Sequence, residues 1–288
     1  MTKALLLLSL IFLGASRWQS STNHFIENFE NPKSEFFQYG SAGTKDAFKH
    51  SMGIPSPTEP NTSILSLKIN PDEKPGAGKG PEIISKEETH FGQYATRLKV
   101  PDVTETQPNV GAVVGYFTYQ MDKELGLSEI DFEWLIADPR IIYVGTWTGP
   151  SGNLQRIGRT INLAEGKILN TIEKEGHAGN PKDLTGLQNQ PETIPAIPDY
   201  NASKQFYTYG FDWKSDEMRW WMIHPETSDT LVLWNYKGSK LGIPQHPSKY
   251  RMNFWHTDEW SVETNPNSLE KPEAPYEVEV DWMSYEPL

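Results

Sequence analysis

The 288-residue chain contains no cysteine. Disulfide staples, thiolate metal sites and lipid attachment through a cysteine are therefore excluded. Positive charge is sparse, with 26 Lys and Arg against 38 Asp and Glu and a formal net charge of −12. Nucleic-acid surfaces need clustered cations, so a nucleic-acid partner is excluded as well. Long hydrophobic runs are almost missing. The one present, residues 4–13, is broken by Ser9, preceded by Lys3 and followed by Gly14, Ala15 and Ser16. It is about half the ~20 residues that a membrane-spanning helix requires. A short apolar run between a positive residue and small residues has the pattern of an export signal. The expectation is a signal peptide over 1–16, a short tether over 17–24, and a secreted monomer with no membrane association once the signal is removed.

Helical periodicity is scarce too. What replaces it is a series of strand-length segments with period-two alternation or β-branched and aromatic runs. Residues 63–69, 94–100, 112–119 and 141–147 are of this kind, each bounded by Pro, Gly, Asn or Asp. Residues 208–213, the polar turn 214–217 and residues 218–223 form a strand, turn and strand, and a second turn precedes residues 231–234. Many short strands with regular turns indicate an all-β sandwich or barrel. Two stretches break the rhythm. Residues 71–80 form a loop rich in Pro and Gly. Residues 164–203 are rich in Pro, Gly, Asn and Lys and carry too little apolar content for a core of their own. A connection that long is usually functional or mobile, so it reads as an insertion beside a binding surface.

Aromatic residues are plentiful, with 10 Trp, 12 Tyr and 12 Phe. Most fill a core in an ordinary protein, but flat rings also line grooves that bind flat ligands. The chemistry-bearing segment lies among them. Ser128-Glu129-Ile130-Asp131-Phe132-Glu133-Trp134-Leu135 alternates strictly, so Glu129, Asp131 and Glu133 share one face and the apolar residues the other. Carboxylates are depleted in strands, and three on one face repel one another. The same spacing recurs at Glu277-Val278-Glu279-Val280-Asp281, so spacing alone does not single out a site. The first segment is central in the chain and flanked by Phe117, Tyr119 and Trp147. The second ends the chain and reads as a charged protective edge strand. Paired carboxyls a few ångströms apart perform glycoside hydrolysis, ~5–5.5 Å in retaining and ~6.5–9.5 Å in inverting enzymes. Cα atoms four residues apart on a strand are ~13 Å apart, a gap that two inward-leaning Glu side chains can largely close.

Glu129-Ile130-Asp131-Phe132-Glu133 resembles the Glu-x-Asp-x-Glu signature of glycoside hydrolase family 16. Other segments resemble that family in order. Gly92 to Lys99 is similar to the strand before its catalytic region, and Gly115-Tyr116-Phe117-Thr118-Tyr119 to its Phe-Thr-Tyr strand. Tyr207 to Trp213 with Arg219-Trp220 is similar to its later hairpin. Arg251-Met252-Asn253-Phe254-Trp255 resembles its Met-Asn-Leu-Trp strand, and Val280 to Tyr285 its final strand. The resemblance runs from about residue 80 to the end, and the regular acidic strand is similar to that of lichenases and xyloglucan transglycosylases. It implies a concanavalin A-like β-jelly-roll sandwich over 25–288 with a substrate cleft on the concave sheet. It further implies retention of configuration, a polysaccharide substrate and no cofactor for catalysis. Glu129 would be the nucleophile, Asp131 its partner and Glu133 the acid/base. Phe117, Tyr119, Asn253 and Trp255 would contact sugar, with Trp147 beside them. Asp281 matches a position that helps hold a structural calcium in lichenases, although a surface aspartate is the simpler reading.

Departures from the family pattern bear on specificity. Ser128 stands where an acid is common, Trp134 where Phe is common, and Ile84 where lichenases usually carry an Arg that reaches substrate. Two alternatives accompany the endo-acting hydrolase: a transglycosylase using the same site, and a non-catalytic carbohydrate-binding sandwich.

Overall fold

The computed structural model describes residues 23–54, 62–239, 241–261 and 265–288. The signal peptide expected over 1–16 and most of the tether lie outside the described residues. The chain opens with β1 (Phe25–Glu27), β2 (Phe37–Gly40) and β3 (Phe48–Ile54). It continues through β4 (Thr62–Ile69), β5 (Glu82–Thr89) and β6 (Gly92–Lys99). Three long strands follow: β7 (Ala112–Asp122), β8 (Gly126–Leu135) and β9 (Ile141–Gly149). Next come β10 (Gln155–Asn162), β11 (Lys167–Glu175) and β12 (Lys182–Asp183). The last are β13 (Tyr207–Trp213), β14 (Glu217–Ile223), β15 (Thr230–Lys237), β16 (Ser248–His256) and β17 (Tyr276–Pro287).

These strands make two antiparallel sheets packed as a sandwich, the all-β jelly roll that the sequence leads one to expect. The nine-stranded sheet runs β12-β11-β10-β9-β8-β7-β16-β5-β2, which puts β8 near its middle. The other runs β15-β14-β13-β6-β17-β4-β3, with β1 added against β17. Alternation explains the burial of β8. Ile130, Phe132 and Trp134 are fully buried in the inter-sheet core, where Phe132 and Trp134 meet Tyr209 of the facing sheet in tilted and edge-on contacts and Phe132 also meets Tyr116 of the neighbouring β7. Burying such side chains stabilises by about 1.5–3 kcal/mol each. The Trp220 indole of β14 reaches across the sandwich and donates to the Asp131 carbonyl at 3.1 Å. The middle of β8 is thus pinned from behind.

Two expectations change. The segment 164–203 contains a nine-residue strand, β11, that pairs with β10 along its whole length. Its side chains are mostly half-buried on both faces, so no polar and apolar alternation betrays it. Leu184, Ile194, Ile197 and Tyr200 from the same segment join the main core. Second, β17 is no edge strand. It lies between β4 and β6 in the centre of its sheet. Its carboxylates are tolerated there because basic residues meet them across the strands. Glu279 pairs with Lys99 and Asp281 with Arg97, while Glu277 is in register with Lys68.

One buried cation fastens the irregular segment to the sandwich. Arg159 of β10 is fully buried and donates to the carbonyls of Pro191 and Leu233 at 2.9 Å. It also donates to Thr171 Oγ1 and Asn189 Oδ1 and lies over the Trp234 ring. Burial lowers its pKa to about 10. Removing the guanidinium leaves several buried acceptors without a donor. Arg159→Met is therefore expected to cost about 3 kcal/mol or more, read as a lowered denaturation midpoint at unchanged slope.

Candidate active site

Strand register lays the cleft out as three rows across the nine-stranded sheet. Tyr119, Glu129, Trp147 and Arg156 form one row along β7, β8, β9 and β10. Arg251, Phe117, Asp131, Gly145 and Gly158 form the next, beginning on β16. Asn253, Gly115, Glu133, Tyr143 and Thr160 form the third. The three carboxyls of β8 therefore stand in the middle of the sheet's outer face with aromatic and polar neighbours on both sides.

A cavity of about 320 Å³ is lined by Phe117, Tyr119, all three carboxyls, Arg251, Asn253 and Trp255. A second, of about 530 Å³, continues past Glu133 and Trp255 to Tyr143, Trp147, Arg156, His177 and Trp260. Ala77 belongs to both, so the loop 71–80 walls the cleft along its length. That loop is fixed by the Gly76 amide donating to the His256 carbonyl at 2.9 Å. Every site residue expected from the sequence in the cleft is there: Glu129, Asp131, Glu133, Phe117, Tyr119, Asn253 and Trp255 in the first cavity, Trp147 in the second.

Gly115 makes room for this packing. A Cβ at that position would come within 2.6 Å of Asn253 Oδ1, so its absence lets the amide lie over β7 beside Glu133. Asn253 is 8% exposed, and its Oδ1 has no hydrogen-bond partner. Asp131, 4% exposed, likewise keeps Oδ2 unpartnered. Unpaired buried polar atoms that face a cavity are atoms a ligand can satisfy.

Electrostatics set the cleft apart from an ordinary polar face. Burial pushes Glu129 up to about 8, reinforced by the charge of Glu133 and opposed by Arg251. Burial pushes Glu133 up to about 7 against the pull of Arg156. Asp131 rises well above the usual carboxylate range because it is buried between Glu129 and Glu133. The protons belong to the cluster, and near neutral pH it holds both charged and protonated carboxyls. In the free protein the proton is held more tightly at Glu129 than at Glu133, so acid/base work with Glu133 as the acid requires that the proton pass to Glu133 once substrate fills the cleft.

Several cleft residues escaped the sequence reading. Arg251 lies two positions before Asn253, so the period-two rule that placed Asn253 and Trp255 also reaches it. Its guanidinium bonds Glu82 at 3.0 Å and lies over the Tyr119 ring. It is paired across the strands with Ile84, so a cation stands beside the position where one was missed. Tyr143 shares the face of Trp147 by the same rule. Arg156, His177 and Trp260 carry no local signal. His177 comes from the segment 164–203 and stacks on Trp147, with ring centroids 4.6 Å apart. Asp281 does not reach the cleft. It is 4% exposed, so the surface reading fails. Its carboxylate is ion-paired with Arg97, a fixed positive charge that does not fit a calcium ligand set. Among the described residues, no three His, Asp or Glu side chains gather at one point.

No family model matches the chain. A β-glucanase from Bacillus amyloliquefaciens is 23% identical over 199 residues, 68% of this chain and 59% of that protein. The chain thus spans less than two thirds of that relative. Among solved structures, a β-glucanase from Bacillus licheniformis superposes with a TM-score of 0.56 at 18% identity, covering 93% of this chain and all of that one. A β-1,3-1,4-glucanase (lichenase) from a mouse hindgut metagenome gives 0.55 at 19% identity, covering 92% and 99%. At such identities the likeness establishes the fold, a jelly-roll sandwich shared with these proteins.

Two outcomes follow from the site. Asp131 binds its proton more tightly folded than unfolded, so its contribution to stability is full at low pH. That contribution is lost as pH rises from about 4 through the raised folded value. Asp131→Asn is therefore expected to raise the melting temperature at pH 7 by about 2–4 °C, the equivalent of ~1 kcal/mol, with no gain at pH 4. Melting curves at both pH values check it. Trp255 is half-buried on the cleft face, packed against the small cluster of Val113, Leu135 and Ile141 and outside the main core. Trp255→Ala is expected to weaken sugar binding at least tenfold while costing well under the ~3–5 kcal/mol of a core tryptophan. Calorimetric binding and thermal melts on one preparation separate the two.

Proposed function

We propose that this chain is an endo-acting, retaining glycoside hydrolase of the family 16 type. Its substrate is a β-linked polysaccharide, a β-glucan or close relative, and it works through a covalent glycosyl-enzyme intermediate. The observation that carries the reading is the row of three carboxyls on β8, Asp131 buried and Glu129 and Glu133 half-buried, set in a groove that continues past them on both sides. A groove extending both ways accepts an internal bond of a chain. Its aromatic walls suit the C–H faces of pyranose rings, and Asn253 suits hydroxyls. The rim adds Asp258 and Glu259, negative charge that disfavours polymers bearing sulfate or carboxylate. The β-glucanase relative supports a neutral β-glucan.

In this mechanism protonated Glu133 gives its proton to the glycosidic oxygen while a Glu129 carboxylate oxygen attacks the anomeric carbon. The bond to the leaving sugar breaks as the bond to Glu129 forms. Glu133, now ionised, takes a proton from water, and the resulting attack releases Glu129 and a sugar of unchanged anomeric configuration. Asp131 shares a proton with its neighbours and keeps Glu129 from holding one during attack. No cofactor enters. Residues 25–288 form the catalytic domain, and export by the segment 1–16 belongs to the same proposal. A sandwich that only bound sugar would gain nothing from three closely spaced, mutually repelling carboxyls. A transglycosylase would use the same intermediate with a sugar hydroxyl in place of water.

Incubation with a panel of β-glucans, xyloglucan, galactans and chitin oligomers should yield shortened products from a β-glucan. Proton NMR should show the β-anomer first. Glu129→Gln should abolish turnover. Glu133→Ala should lower activity on polymer by about 10²–10⁴-fold and recover with azide on an activated aryl glycoside. First appearance of the α-anomer, or loss of activity in Glu277→Gln and not in Glu129→Gln, would overturn the assignment. Products longer than the substrate would indicate transglycosylation.

A further inference from the structure

Three carboxyls in one desolvated row retain their protons unless a positive charge opposes burial, and a fully protonated row contains no nucleophile. Two guanidinium groups line the cleft, one on each side of β8. Arg251 is already committed to the Glu82 carboxylate at 3.0 Å. Arg156 forms no ion pair with any carboxylate among the described residues. Its Nε donates to the Tyr143 hydroxyl at 3.0 Å. Its guanidinium carbon lies 4.7 Å from the Tyr143 ring centroid and 5.2 Å from that of Trp147.

By register alone Arg156 belongs to the row of Glu129, two strands away. Tyr143 redirects it. Gly145 and Gly158 are cross-strand partners in the row of Asp131, and the tyrosine ring fills the space that side chains there would occupy. A Cβ at Gly145 would stand 2.2 Å from the Tyr143 hydroxyl, and one at Gly158 would stand 2.7 Å from its ring. The tyrosine therefore leans out of Glu133's row into Asp131's and holds the guanidinium in the cavity that both line with Glu133. The charge of Arg156 acts on Asp131 and Glu133, while that of Arg251 acts on Glu129.

We infer that Arg156, anchored on Tyr143 over the Gly145–Gly158 pair, is a positioning residue that holds the Asp131 and Glu133 end of the carboxyl row in a partly ionised state. The inference rests on the hydrolase reading, because only an acid/base cycle needs that state. The other charged or titratable groups around these acids are Glu129 on β8, Tyr119 on β7, Arg251 on β16 and its partner Glu82 on β5. His177, Asp258 and Glu259 stand exposed on the rim of the larger cavity, where water screens them. None of them supplies an uncompensated guanidinium beside Glu133.

The test compares wild type with Arg156→Gln, Arg156→Lys and Tyr143→Phe. The carboxyl titration of each is followed by ¹³C NMR on Glu- and Asp-labelled protein, alongside the pH profile of kcat/KM on a soluble mixed-linkage β-glucan. Arg156→Gln should move the titration midpoint of Glu133 and the alkaline limb of the profile, which reports the protonated acid, upward by about one pH unit. Arg156→Lys should restore both most of the way, because it returns the charge. Tyr143→Phe keeps the ring over the two glycines but drops the hydroxyl tether, so it should shift both upward by a smaller amount. It also carries the test if Arg156→Gln fails to fold. Unmoved midpoints in the folded variants, or an Arg156→Lys shift as large as that of Arg156→Gln, would overturn the inference. The NMR titration needs no turnover. A wild type inactive on every β-glucan but showing the predicted shift would sink the hydrolase reading and leave the electrostatic role of Arg156 standing.

Discussion

Crowding three carboxyl groups onto alternate positions of one strand, Asp131 buried and Glu129 and Glu133 half-buried, is the constraint around which this molecule is arranged. Each group would hydrate more favourably in the unfolded chain, and each raises the proton affinity of its neighbours. The strand can carry them only because its opposite face contributes so much. Ile130, Phe132 and Trp134 are fully buried among aromatic rings from both sheets, and the Trp220 indole holds the Asp131 carbonyl. A position far from the sheet edges, with β7 and β9 bonded along most of β8, removes any freedom to tilt the carboxyls back toward solvent.

The same constraint explains the small residues of the cleft. Gly115, Gly145 and Gly158 lie in the rows beside the acids, and the space each leaves is used by a neighbour that bears on them. Asn253 lies over Gly115 next to Glu133, and Tyr143 lies over Gly145 and Gly158 toward Asp131. A strand glycine weakens its own element. Here that loss is offset by close approach of a polar group to a charge cluster, a combination typical of sites where function and stability pull apart.

The second acidic strand shows how the same local pattern acquires a different meaning. β17 repeats the carboxylate spacing of β8, yet Arg97 and Lys99 of β6 meet its acids with ion pairs. In the cleft the neighbours of the acids are mainly rings, an amide and glycines, and the guanidinium groups stand two strands away. Paired carboxylates are quiet, whereas unpaired buried ones are chemically poised. The difference resides entirely in the adjacent strands.

Period-two alternation is a local property of the chain, so it determined that Glu129, Asp131 and Glu133 share a face. It determined equally that Phe117 goes with Tyr119, and Asn253 with Trp255. Strand-length runs between turn residues likewise determined the all-β class. Strands whose two faces are alike, such as β11, carry no such signal and were legible only as irregular sequence. Tertiary structure alone decided that β17 inserts between β4 and β6 and does not guard an edge. It also decided that Asp281 meets Arg97 and that Arg156, His177 and Trp260 reach the cleft. Those outcomes depend on which strands become neighbours, and hydrogen bonds between backbones make that choice without marking it in the residues that are brought together.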